Sequence, residues 1–281
     1  MEILSKTLTN QQLSQIDMLE QPVVMPRPIV VEFVGMMGSG KSTIASLVIK
    51  ELNRRGYSCP SQKQIVSWMT KSGFNNSCES PGIIEKLKYY SKLSYLLAAL
   101  RFPRIAFSAY RYALTVQPKN KDSLQTSRAP MYWMGILEKY TQNTLYDVVL
   151  FEEATLQYIN DVPLYGKQFS RNAQKELISK LIEKENHLVV FLKIDADSVR
   201  ERIKGRAAEA HSENMQSWAF EHEAEDYQRQ KITHAIDIFE STLKHLKALS
   251  PRSLIEIDAL KEPKVNAALV VECIEKLVQS R

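Results

Sequence analysis

Ile29-Val30-Val31-Glu32-Phe33-Val34-Gly35-Met36-Met37-Gly38-Ser39-Gly40-Lys41-Ser42-Thr43 is the stretch that decides how this chain folds. Its first six residues are apolar and largely β-branched, with Glu32 the only charge, which predicts a short strand buried on both faces. From Gly40 to Asn53 the spacing changes, and Ile44, Leu47, Val48 and Leu52 fall on one helical face. The glycines therefore sit between a strand and a helix. Gly35 to Ser42 satisfy the pattern G-x-x-x-x-G-K-[ST] in full, a match that this chain's own residue frequencies produce by chance about 0.003 times. Glycines at this junction let successive N–H groups turn inward on a phosphate at the positive end of the following helix. Lys41 adds a mobile cation for the β and γ phosphates, and Ser42 offers a hydroxyl to Mg²⁺. The bland alternative is a glycine-rich turn with no ligand.

Outward from that stretch, Asp147–Phe151 and Leu188–Ile194 read as further strands. Helical spacing precedes each, at Met131–Tyr140 and Ala173–Ile182, and a last strand at Ser253–Ile257 leads into a closing helix over Val265–Leu277. Strands alternating with helices predict an α/β fold with a mainly parallel central sheet and helices on both faces. Residues 1–27, with Pro22 and Pro26 near their exit, read as an appended arm, leaving 28–281 as the domain. No repeat or low-complexity segment is evident. Only 9 glycines occur in 281 residues, and three of them crowd into Gly35–Gly40, so glycine is concentrated where backbone must approach a ligand. The net charge of +5 permits anionic partners without implying a nucleic-acid coat. Cys59, Cys78 and Cys273 are too scattered for a disulfide framework, and reduced thiols in a soluble cytoplasmic protein are the expectation. The N-terminal residues lack the apolar stretch of a secretory signal. The apolar Leu93–Val116 region is interrupted by Arg101, Arg104 and Arg111 and does not read as a membrane span.

A phosphate loop needs an acidic partner on a neighbouring strand, to hold Mg²⁺ through water or to accept the proton of a nucleophile. Asp147–Phe151 ends in Glu152-Glu153, which puts carboxylates at the edge where open α/β sheets bind ligands. Because side chains alternate along a strand, one of the two is expected to face the phosphates, and Glu152, directly after the buried run, is the choice. Two solvated carboxylates opening a loop are the alternative. Asp195-Ala196-Asp197-Ser198 then leads into Arg200, Arg202, Lys204 and Arg206. Asp197 is expected to cap this helix, while Arg202 and Arg206 share a face at i, i+4 and are spaced to close over a triphosphate. A solvated basic helix is the other reading. Gly205 with Ala207-Ala208 is the expected hinge of a lid-like segment over 200–220.

Taken together these motifs resemble the P-loop nucleoside monophosphate kinase group, and most of all its thymidylate-kinase-like members. The resemblance covers roughly Pro28 to Leu277, although only the motifs are specific. It implies a P-loop NTPase three-layer sandwich with helical acceptor and lid insertions. It also implies ATP and Mg²⁺ as cofactors, with Gly35, Met36, Met37, Gly38, Ser39, Gly40, Lys41, Ser42 and Thr43 binding ATP. By the same likeness Glu152 aligns with the catalytic acid and a metal-side ligand, and Arg202 and Arg206 with the lid arginines. Phe220 and Tyr227 resemble a later aromatic pair, and Ile255-Glu256-Ile257-Asp258 the strand after which such enzymes hold adenine. Two departures bear on the substrate. Thymidylate kinases carry an Asp-Arg pair where this chain has Glu152-Glu153, and an Arg-Glu-Pro turn that Tyr57–Ile65 lacks. Thymidine monophosphate is therefore not implied.

The acceptor side of such a protein would fall in 82–145. From Gly82 to Arg128 nine cations (Lys86, Lys88, Lys92, Arg101, Arg104, Arg111, Lys119, Lys121 and Arg128) face only Glu85 and Asp122, with seven aromatic residues interleaved. These cations could grip an anionic acceptor while the rings stack on it. An amphipathic helical hairpin with core aromatics and solvated cations is the plain alternative. Peripheral contact with an anionic membrane and pairing with a second copy of the chain stay open. Nucleic acid is not expected, because the rings follow helical spacing and no binding fold is recognisable. The resulting expectation is an ATP-dependent phosphotransferase acting on a nucleoside monophosphate or nucleoside. The alternatives are a kinase of a non-nucleotide small molecule and an ATP-binding sensor module without turnover.

Overall fold

Strand β1, Ile29–Gly35, is buried at all seven positions and forms the middle of the sheet. A computed structural model describes residues 27–61, 64, 99–100, 103–118, 146–182, 186–212, 225–250 and 253–280. Among them β1 is followed by α1 (Lys41–Arg54), α2 (Pro103–Thr115), β2 (Gln117–Pro118), β3 (Val148–Phe151) and α3 (Thr155–Tyr165). Then come β4 (Gly166–Gln168), α4 (Arg171–Ile182), β5 (His187–Lys193), α5 (Ala196–Ser212), α6 (Glu225–Leu249), β6 (Leu254–Asp258) and α7 (Pro263–Gln279). The central sheet runs β3-β1-β5-β6, and every neighbouring pair is parallel. Strands β2 and β4 make a separate two-stranded antiparallel ribbon. The α/β sandwich expected from the alternation of strands and helices is thus present. Each of the four expected strands and the three described helices predicted between and after them falls within two residues of its expected bounds. The expected helix at Met131–Tyr140 and nearly all of the arm, 1–26, lie outside the described residues.

Strands β1, β3 and β5 read as continuous apolar runs because both of their faces are covered. On one face α1 packs with Ile44, Ala45, Val48 and Leu52, beside α7 with Ala267, Val270, Val271 and Ile274. Arg55, just past α1, ties the two helices by an ion pair of 2.5 Å to Glu275. The other face carries α3 and α6, and Phe239 of α6 meets Phe191 of β5 edge-on at 6.4 Å between centroids. Helix α4 packs on α6 and on α2.

Helix α3 contains Pro163, which has no N–H to give the carbonyl of Ile159 four residues before it. Two buried side chains replace that donor. The Tyr112 hydroxyl of α2 donates to the Ile159 carbonyl at 2.8 Å, and Gln174 Nε2 of α4 does so at 3.3 Å. The proline is therefore tolerated because two neighbouring helices were built to satisfy the carbonyl it orphans. Next to it, Asn160 donates to the Leu156 carbonyl at 2.8 Å and accepts from Thr242 of α6.

Two expectations are corrected here. Asp195, not Asp197, caps α5: its carboxylate accepts the Ser198 N–H at 2.9 Å and the Ser198 hydroxyl at 2.6 Å. Those bonds hold the Asp195 carboxyl below the usual carboxylate range. The reason is positional, since the helix starts at Ala196 and the preceding residue is the one free to reach back over the first turn. Gly205 is not a break either. Helix α5 runs through it to Ser212, and 213–224 lie outside the described residues.

Candidate phosphate-binding site

The loop from Gly35 to Gly40 leaves β1 and enters α1, so the fold itself aims the N-terminus of α1 at the C-terminal edge of the sheet. Gly35 is required by a close approach: a Cβ there would stand 2.9 Å from the Leu192 carbonyl oxygen of β5. Gly38 and Gly40, at φ +83° and +91°, hold the left-handed backbone that turns the loop. No acidic residue occupies the first turn of α1, so its positive end is not neutralised from within. Ser39 is buried, its N–H donates to the Met36 carbonyl at 3.1 Å, and its Oγ has no partner. An orphaned buried hydroxyl inside this turn, together with the first-turn N–H groups of α1, is a donor set fitted to phosphate oxygens. Ser42 and Thr43 lie exposed in that first turn, where the Ser42 hydroxyl suits a divalent cation.

Lys41 is 6% exposed and folds back on the loop, its Nζ donating to the carbonyls of Gly35 at 2.8 Å and Met36 at 3.1 Å. At the end of β3 the Glu153 carboxylate approaches it, at 3.9 Å, while 52% exposed. Glu152, the residue chosen from sequence, is half-buried at the strand end. On the far side a cleft of about 420 Å³ opens between the loop, α5 and the turn after β6, with Gly38, Thr43, Arg202, Gly205 and Ala259 among its walls. The Arg202 guanidinium bridges that cleft's two edges, donating to the Gly38 carbonyl at 3.2 Å and the Ala259 carbonyl at 2.9 Å. Arg206 lies one turn further along α5, and its side chain is outside the described residues. The wall opposite α5 is fixed by the Ala259 N–H donating to Lys193 at 2.9 Å and by Asn266 Nδ2 donating to the Asp258 carbonyl at 2.7 Å.

Three residues that the sequence reading passed over complete the site. Glu32, fully buried in β1, accepts the N–H groups of Leu156 and Gln157 through Oε1 and so caps α3 from a neighbouring strand. Its Oε2 lies 3.4 Å from Nε2 of buried His187. Gln157 then reaches the loop, its Oε1 accepting the Gly35 N–H at 3.1 Å, while its Nε2 donates to Asp161 at 3.0 and 3.3 Å. Burial pushes the Asp161 carboxyl up to about 7, against the opposing pull of Lys41 and the Gln157 hydrogen bond. The available signal was the lone charge in an apolar strand, which demands a buried partner, and polar residues at i, i+4 just after the acidic turn.

The basic aromatic segment is described only in part. Within α2, Tyr112 is core, whereas Arg104, Phe107, Tyr110 and Arg111 are exposed. Arg111 pairs with Glu176 of α4 at 3.1 Å and stands 6.0 Å from the Phe107 ring centroid. Among the described residues, no helix is long and apolar enough to cross a membrane. Cys59 is buried beside Asp147, and its thiol is pushed up to about 12, chiefly by burial, which makes it a poor nucleophile.

No protein-family model and no curated protein matches the chain. Among solved structures it is similar to deoxyadenosine kinase from M. mycoides with bound dCTP, at 15% identity and a TM-score of 0.39, over 88% of this chain and 99% of that chain. The structure of that enzyme with bound dATP gives 14% identity, the same coverage and a TM-score of 0.39. The fold assignment stands on the strand order and strand directions of this chain itself.

Proposed function

We propose that this chain is an ATP-dependent phosphotransferase that phosphorylates a hydroxyl of a small acceptor, with a nucleoside as the leading class. The observation that carries the reading is the complete phosphate loop, with its orphaned Ser39 hydroxyl, its internally held Lys41 and a carboxylate 3.9 Å from that lysine. Loop amides and Ser39 serve the phosphates, and Ser42 and Glu152 are the residues for Mg²⁺. Bound ATP supplies the phosphoryl group, and Mg²⁺ neutralises charge between its phosphates. The base of the nucleotide fits the cleft walled by Arg202 and Ala259, whose volume of about 420 Å³ is within the usual range for small-ligand pockets. Arg206, on the same face of α5, is the arginine assigned to the transferred group. Glu153, whose carboxylate lies 3.9 Å from Lys41, is assigned as the general base that takes the proton of the acceptor hydroxyl.

Between the two acceptor classes implied by the motifs, charge favours the nucleoside. Glu153 lies beside Lys41, and the Asp161 carboxyl feels the charge of both. A dianionic monophosphate would meet those carboxylates, and of the two described cations on the segment expected to grip it, Arg104 and Arg111, the second is engaged with Glu176.

The test is ADP formation with Mg-ATP and a panel of nucleosides, their monophosphates and simple alcohols. Acceptor-dependent ADP with a nucleoside supports the reading. ADP that never exceeds the no-acceptor background, while ATP still raises the melting temperature, sinks the kinase and leaves a nucleotide-binding module. Lys41→Ala is expected to remove the ATP-dependent melting shift. Glu153→Gln is expected to keep that shift and lose turnover, and the same pattern from Glu152→Gln alone moves the acid's role to Glu152.

A further inference from the structure

Gln157 is tied in three directions at once. Its own N–H goes to Glu32 in the sheet at 3.3 Å, its Oε1 accepts the N–H of Gly35 at 3.1 Å, and its Nε2 faces the Asp161 carboxylate at 3.0 and 3.3 Å. Gly35 is the hinge residue between β1 and the phosphate loop, and its position is already constrained by the Leu192 carbonyl behind it. A side-chain amide has one acceptor end and one donor end, so its orientation is decided by what flanks it. Here the Gly35 N–H demands the oxygen and Asp161 demands the nitrogen. Neither contact belongs to the loop motif, and both come from α3, the helix that follows the acidic turn.

The geometry points to Gln157 and Asp161 as a positioning pair that locks α3, the helix after the acidic turn, to the first amide of the phosphate loop. The inference rests on the phosphate-loop reading above and deepens it, because it makes the loop's affinity for phosphate depend on a group outside the loop. Asp161 is the member whose charge changes in the working range, since burial pushes its carboxyl up to about 7. The groups that face it are Lys41 from α1, Glu153 from the turn after β3 and Tyr112 from α2. When Asp161 ionises it holds the Gln157 amide more firmly, because a charged acceptor makes the stronger hydrogen bond. The same charge disfavours an arriving polyphosphate. Gly35 should therefore sense the ionisation through Gln157, and nucleotide affinity should fall as pH rises through that range.

The experiment follows the backbone amide resonance of Gly35 in the ligand-free full chain as pH is raised from about 5 to about 9. The resonance is expected to shift with a midpoint near 7 in the wild type and to stop titrating in Asp161→Asn, which preserves shape and one hydrogen bond. Gln157→Leu should displace the resonance at every pH and weaken binding of a non-hydrolysable Mg-nucleotide about tenfold, as expected for an unpaired buried N–H. In the wild type, nucleotide affinity should decline across the same midpoint, and in Asp161→Asn it should lose that component. A Gly35 resonance indifferent to pH, or one that titrates equally in Asp161→Asn, overturns the positioning pair even where Lys41→Ala shows that nucleotide binds. A Gly35 resonance that titrates through Asp161 in a chain that binds no nucleotide supports the structural coupling and sinks the phosphotransferase reading instead.

Discussion

The two faces of the central sheet are covered by different chemistry. Towards α1 and α7 the contacts are Ile44, Val48 and Leu52 against Val270, Val271 and Ile274, a mostly apolar layer whose buried polar exceptions on the two helices are Lys41, at the loop end of α1, and Asn266. Towards α3, α4 and α6 the layer is threaded with buried polar groups: Glu32, His187, Gln157, Asn160, Gln174 and Thr242. The dry face derives its stability from burial, which is roughly proportional to area and indifferent to direction. The polar face depends on directed bonds, each of which places one element against another. It is also the face from which α3 reaches the phosphate loop. The difference teaches that the burial of polar groups is concentrated where position has to be exact.

That contrast can be broken by substitution. On the dry face, Ile274→Ala removes a fully buried side chain from between α7 and the sheet, and about 3 kcal/mol of stability should be lost. Chemical denaturation with an unchanged slope checks this, and nucleotide affinity should be untouched. A loss well under 1 kcal/mol would mean that the layer collapses to fill the space and is less close-packed than described. On the polar face, Glu32→Gln keeps the shape of the cap on α3 but removes its charge, and about 1.5 kcal/mol should be lost. Unlike Ile274→Ala, it should also weaken nucleotide binding, because Gln157 is placed by that cap. If the two variants differ only in stability and leave binding alike, the polar face has no special link to the loop.

The same contrast decides what could be read from the sequence. The strands and the loop were legible because β1, β3 and β5 are buried on both sides, which leaves an uninterrupted apolar run, and because the glycines have steric reasons that hold in any context. Helices α1 and α7 were legible through spacing, since their one buried face is apolar. Glu32 stood out in its strand, but its partners lie 124 and 125 positions away in sequence, and nothing local names them. Gln157 and Asp161 look like ordinary surface residues of a helix until the sheet brings α3 beside Gly35. Of the rings interleaved with cations on α2, Tyr112 is fully buried, as the alternative of core aromatics has it, while Phe107 and Tyr110 are exposed, a division that composition alone does not make. The cap at Asp195 rather than Asp197 depended on a helix start two residues earlier than the spacing suggested.

The smallest expected effect tests how far the polar face is over-determined. Pro163 deprives the Ile159 carbonyl of its helical donor, and Tyr112 and Gln174 both supply it. Tyr112→Phe removes the shorter bond, leaves the ring in the core and leaves Gln174 in reach, so about 1 kcal/mol should be lost. Gln174→Leu alone should cost a similar amount, because its bond is longer but it also meets Asn160 at 3.4 Å. The double variant isolates the carbonyl without any donor in a buried site. Its loss should exceed the sum of the two single losses by about 1 kcal/mol, the signature of two partners sharing one acceptor. Strict additivity would show that water enters to serve the Ile159 carbonyl, and that this part of the polar face is held by packing as the dry face is.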